Sequence, residues 1–174
     1  MADALSGYEH YKAQVTVWLK GNPLAVAFIE TLFTALHVWD DIEDRDKAVS
    51  TDRFNRMMTS LLITLPRNRF YAEHFAELNP VVHLAILNWQ VANRLERSAT
   101  KQDLQTAFIL RSSYTDLITV CATILGGDDW GITVGVESRR YSCAEGFDAY
   151  CAALLQEQHA DYVIEECRYG VRSV

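Results

Sequence analysis

The stretch that decides the fold is Asn22 to Asp44, NPLAVAFIETLFTALHVWDDIED. Asn22 followed by Pro23 is an N-cap and a proline at the first helical position. The residues from Pro23 to Leu36 are apolar almost all round, which predicts a helix running through the middle of a bundle to about Glu43. Its few polar residues, Glu30, Thr34, His37, Asp41 and Asp44, recur at 4-3-4-3 spacing and form one stripe. That stripe is either a solvated face or the lining of an internal cavity. A run of acids then closes the helix: Asp40, Asp41, Glu43, Asp44 and, just beyond, Asp46. Carboxylates at a helix C-terminus oppose the macrodipole, so their placement carries a local cost that a cation or ligand would offset.

Working outward, the rest of the chain also reads as helix. Tyr8, Tyr11, Val15, Trp18 and Leu19 define an amphipathic helix over 8–19, ended by Gly21. Ser50 or Thr51 caps a helix stopped by Pro66, and a shorter one runs from about Phe70 to Leu78. Asn79-Pro80 repeats the cap-and-proline signal for a helix to about Arg97. Thr100 with Asp103 resembles a capping box and opens a long helix to Leu125, closed by Gly126-Gly127. Asp128 to Arg140, containing GITVGV, reads as a loop with a helical turn. Ser142 with Glu145 predicts the cap of a last helix to about Tyr169. The expectation is an all-α, single-domain bundle of about six to eight helices covering residues 1–174, with no repeats, linkers or second domain.

Composition excludes some functions. At 174 residues, 49% hydrophobic and 22% charged, the chain has the make-up of a globular domain with a full core. A net charge of −7 and the lack of a basic run argue against a broad grip on nucleic acid. The apolar run after Pro23 is broken at Glu30 and is too short to span a bilayer. Cys121, Cys143, Cys151 and Cys167 show no metal or redox spacing and read as buried free thiols. Met1 to Lys12 lacks the basic and apolar regions of a signal peptide, so a reducing cytoplasm is expected.

Asp40 to Asp44 has the form Asp-Asp-x-x-Asp, with Asp40 and Asp44 one turn apart on one helix face. Magnesium takes one or two carboxylates together with water and phosphate oxygens, so such a pair could hold the ion and leave positions open for a diphosphate. The competing reading is a solvated helix end. HVWDDIEDRDK resembles the first aspartate-rich motif of trans-isoprenyl diphosphate synthases, over Leu36 to Asp46. The resemblance implies the isoprenoid-synthase fold, a helical bundle around a deep cavity. It also implies magnesium on Asp40, Asp41 and Asp44 holding a substrate diphosphate. The Arg-Arg-Gly that usually follows the aspartates is absent, and the chain is short for that family. No second Asp-Asp-x-x-Asp exists; Asp161 and Glu165, one turn apart on the last helix, are the nearest substitute.

Other candidates are single residues. Arg111 could clamp a diphosphate or form an internal salt bridge to an acidic cluster, and Lys47 could balance phosphate charge. His37 could orient a carboxylate or serve as a structural hydrogen-bonding residue. Asn88, Ala92 and Glu96 share one helix face, from which Asn88 could reach a ligand. The tryptophans read as core or cavity wall. No residue stands out as a nucleophile, and no catalytic residue is assigned. The resulting expectation is magnesium-dependent binding of a small-molecule diphosphate, with turnover like that of a prenyltransferase or terpene synthase left open. The alternatives are an all-helical nucleotide pyrophosphohydrolase, or a non-catalytic interaction protein of viral or accessory type on a synthase-like scaffold. Homodimerisation stays open.

Overall fold

In a computed structural model that describes residues 2–44, 47–98 and 100–156, the chain is an all-α bundle with no strand among those residues. The helices are α1 (Ala2–Trp18), α2 (Pro23–Asp44), α3 (Thr51–Thr59), α4 (Arg69–Glu73), α5 (Phe75–Ser98), α6 (Lys101–Arg111), α7 (Tyr114–Gly126) and α8 (Asp128–Ser142). A π-helical turn, Ser60–Thr64, and a 3-10 turn, Leu65–Arg67, join α3 to α4, and residues 146–156 are again helical.

The central helix forms as its sequence demands. The Asn22 side chain accepts hydrogen bonds from the Leu24 and Ala25 amides at 3.1 and 3.0 Å, satisfying two of the free N–H groups of the first turn. Helix α2 then packs against α1, α3, α4 and α7. It buries Ala25, Phe28, Ile29, Leu32, Ala35 and Val38 at helical spacing, against Val15 and Leu19 of α1 and Leu117, Ile118 and Cys121 of α7. Cross-links tie the outer helices to this centre: Trp18 donates to Glu137 at 3.0 Å, and Trp130 donates to the Trp18 carbonyl at 2.9 Å.

Four local readings are corrected. Asn79-Pro80 does not start a helix: α5 begins at Phe75 and carries Pro80 inside it. The Asn79 side chain that would have capped instead accepts a 2.9 Å hydrogen bond from the Tyr71 hydroxyl. The long helix expected from Thr100 to Leu125 is two helices, because Ser112 and Thr115 turn their hydroxyls onto the Ile109 and Ser112 carbonyls and interrupt the ladder.

Asp128 to Arg140 is not a loop but α8. Gly127 at φ +82° breaks the chain, Asp128 and Asp129 then sit favourably in a first turn, and Gly131 and Gly135 allow close packing on α7. A Cβ at Gly131 would lie 1.9 Å from the Thr123 hydroxyl, so glycine there is a packing requirement rather than a strand signal. Finally, Ser142 ends α8 instead of capping the last helix; its hydroxyl lies 3.2 Å from that of Tyr114.

Cys121 is buried and free, with burial pushing its thiol up to about 12, while Cys143 and Cys151 are free and half-buried. Cys167 lies outside the described residues. The stretch Lys101–Gly126 is apolar and long enough to cross a membrane by composition. In this fold it is the α6–α7 pair, broken at Ser112 and Ser113, and it carries Arg111 in an ion network.

Candidate functional site

The last two turns of α2 present different residues to different neighbours. Successive helical residues point about 100° apart, and Asp40 and Asp41 meet different partners here. Asp40 faces α5 and the end of α6. Its Oδ1 accepts from Trp89 Nε1 and from Arg111 Nη1, each at 3.0 Å. Oδ2 receives no hydrogen bond among the described residues, and the side chain is 41% exposed.

Arg111 is the last residue of α6, and the break after it leaves its guanidinium between α2 and α5. It holds Glu96 in a two-point grip, Nε to Oε1 at 2.8 Å and Nη2 to Oε2 at 2.7 Å. Glu96 has a side chain only 7% exposed and also accepts from the Tyr150 hydroxyl. Burial, followed by the Glu96 carboxylate beside it, raises the Tyr150 hydroxyl above its ordinary value. Glu96, which by sequence is an ordinary polar position on a helix face, is therefore central to the network.

Two cavities meet at this pair. One, of about 160 Å³, is walled by Phe33, Leu36, Trp89, Leu110 and Tyr114, with His37, Asp40 and Arg111 at its polar side. The other, of about 290 Å³, lies beyond Arg111 and is lined by Ser112, Ser142, Glu145 and Tyr150 among others. Asp40 and Arg111 line both. The aromatic walls Phe33, Trp89 and Tyr114 belong to this site together with Tyr150; the sequence marks the tryptophan as core or cavity wall and gives no signal for Tyr150.

His37 lines the smaller cavity. Its Nδ1 is 2.8 Å from the Phe33 carbonyl oxygen, which can only accept, so Nδ1 carries the hydrogen. Asn88 donates to the Ser113 hydroxyl at 3.0 Å, on the rim of the same cavity. Asp41 and Lys47 sit apart from this group. Asp41, 12% exposed, pairs with Arg53 at 2.5 Å and Lys47 at 3.4 Å. Asp44 is the last residue of α2, and its side chain lies outside the described residues, as do Asp161 and Glu165 entirely.

Among the described residues, no three His, Cys, Asp or Glu side chains converge as a metal site. Magnesium does not require such a cage when a phosphate supplies the remaining oxygens. A carboxylate fixed through one oxygen, with the other unengaged, is suitable chemistry for one of its ligands. No protein-family model, curated protein or solved structure matches this chain.

Proposed function

We propose that this domain binds a small diphosphate ester across the two cavities, with magnesium as the counter-ion. The observation that carries this reading is the Asp40 carboxylate, held by Trp89 and Arg111 through Oδ1 with Oδ2 unengaged among the described residues, where an apolar and a polar cavity meet. The apolar portion of the ligand would lie against Phe33, Trp89 and Tyr114. A volume near 160 Å³ compares with the roughly 150 Å³ cavity that accepts benzene, which favours an apolar group of about five or six carbons. Arg111 would exchange part of its hold on Asp40 for phosphate oxygens, while Glu96 and Tyr150 keep the guanidinium oriented. Asp40, with Asp44 one turn further on, would hold the metal.

When bound, magnesium would neutralise the diphosphate and stabilise its departure as an anion. The chain's own contribution would be to orient the ester, exclude water from its apolar end and hold Arg111 beside the leaving group. Prenyl transfer and other reactions at a diphosphate ester are both accommodated by this arrangement.

The test is thermal unfolding with magnesium and a panel of diphosphates: a five-carbon allylic diphosphate, a fifteen-carbon one and nucleoside triphosphates. A ligand at a hundred times its dissociation constant stabilises by about 2.7 kcal/mol, which for a domain of this size shifts Tm by about 5–11 °C. The expected result is a magnesium-dependent shift with the five-carbon compound that is lost in Asp40→Asn. A shift with nucleotides alone would favour a pyrophosphohydrolase. Absence of any shift, or one that survives Asp40→Asn unchanged, would overturn the reading.

A further inference from the structure

The other side of α2 borders a separate cavity of about 410 Å³, between that helix and α3. Thr31, Thr34, Ala35 and Val38 reach it from α2, while Arg53, Arg56, Met57 and Ser60 reach it from the α3 side. It therefore takes up Glu30 and Thr34 of the polar stripe, and Asp41 of that stripe is tied to Arg53 at its border.

The charges around it do not cancel. Glu30 is matched by Lys12 at 2.9 Å, and Arg53 is matched by Asp41. Arg56 has no ion-pair or hydrogen-bond partner among the described residues, although the chain carries 23 acids against 16 lysines and arginines. The Thr34 hydroxyl likewise makes no hydrogen bond among the described residues. An exposed arginine on a helix is ordinary by itself. Here it lines a concave wall, its five donors unengaged, beside an unused hydroxyl and above an apolar floor of Ala35, Val38 and Met57.

The backbone gives a second, independent sign. Immediately after α3 the helix widens into the π-turn Ser60–Thr64, and the Ser60 amide is shared between the Arg56 and Met57 carbonyls. Such turns are rare and are found frequently at functional sites. Ser60, its first residue, lines this cavity.

We infer that this cavity binds a phosphomonoester carried on an apolar body, with the oxyanion on Arg56, Thr34 and Ser60 and the apolar part on Ala35, Val38 and Met57. Guanidinium binds phosphate oxygens in a two-point fork, which the unengaged Arg56 can supply without breaking an existing pair. This site is separate from the Asp40–Arg111 site, and either can fail without the other.

The experiment is a calorimetric titration of the full chain with hexyl phosphate, inorganic phosphate and hexanol. Hexyl phosphate should saturate one site and bind at least tenfold more tightly than the other two. Arg56→Gln should weaken it tenfold or more, Arg56→Lys should retain part of the affinity, and Arg140→Gln, at an exposed arginine on α8 that lines neither site, should leave it unchanged. Because α3 buries no residue, Arg56→Gln should keep the wild-type Tm. Co-sedimentation with phosphatidylcholine vesicles containing phosphatidic acid, lost in Arg56→Gln, would place the same headgroup on a lipid. Equal affinity for hexyl and inorganic phosphate, or full binding by Arg56→Gln, would overturn the inference.

Discussion

Replacing Arg111 with leucine isolates the energetics of the site. The substitution removes the guanidinium from Glu96, whose side chain is 7% exposed, and from Asp40, whose side chain is 41% exposed. These two losses differ in kind. Asp40 can turn to water, and the exposed half of the network is worth at most about 1 kcal/mol. Glu96 cannot, and breaking a buried pair from one side typically costs about 3–5 kcal/mol because it strands the remaining charge. The Tyr150 hydroxyl continues to donate to Glu96, which points to the lower end, about 3 kcal/mol.

For a chain of 174 residues that cost corresponds to a fall in Tm of about 6–12 °C. Urea unfolding monitored by far-UV circular dichroism measures it directly, provided the slope m is unchanged. The double variant Glu96→Leu/Arg111→Leu should recover most of the loss, since an apolar pair needs no counter-charge. Asp40→Asn should cost less than about 1 kcal/mol. If Arg111→Leu costs under 1 kcal/mol, or if the double variant is no more stable than the single, Glu96 is not a buried partner and the network is a surface arrangement.

Other outcomes follow from the same packing. Gly131→Ala should destabilise by about 1–3 kcal/mol in urea, because the added methyl would overlap the Thr123 hydroxyl. Thr123→Ala in the same chain should recover part of that loss. Burial raises the hydroxyls of Tyr11 and Tyr114 above the usual tyrosine range, so both stay protonated in the folded state after they would ionise in the unfolded chain. Their contribution is therefore complete below pH about 10 and declines above it, by up to about 1.4 kcal/mol per pH unit for each. Chemical unfolding between pH 9 and 11, a window set by the ordinary tyrosine value of about 10, would show it; a flat profile there would contradict their burial. Cys121, buried with its thiol pushed up to about 12, should react with a thiol reagent only on unfolding, whereas half-buried Cys143 and Cys151 should react faster in the native protein.

The features legible in the sequence are those whose partners lie within a turn. Asn22 reaches the amides of Leu24 and Ala25, and Thr100 accepts from the Asp103 amide at 3.2 Å, so each cap is closed by its own neighbours. Asn79 carries the same signal as Asn22, but Tyr71, eight residues earlier, claims its side chain. The site depends on longer separations: Glu96 and Arg111 are 15 residues apart, Tyr150 and Glu96 are 54 apart, and Asp40 and Arg111 are 71 apart. Helix periodicity shows which residues share a face: Asp40 lies one turn before Asp44, and Asp41 lies in the stripe with Glu30, Thr34 and His37. It does not show which neighbouring helix that face meets, because the register is set by packing.

The break at Ser112 and Ser113 converts that packing into a site. On the uninterrupted helix suggested by the apolar run, Arg111, Thr115, Ile118 and Cys121 would follow one another along a single face. Thr115, Ile118 and Cys121 are buried in the core, where an arginine could not follow without an acid to meet it. The serine and threonine hydroxyls end α6 at Arg111 and start α7 at Tyr114, so the two helices need not share one line. Helix α7 can then bury its apolar residues while Arg111 meets Glu96 and Asp40. The acids at the end of α2 and the arginine at the end of α6 thus become one site through the interruption between two helices.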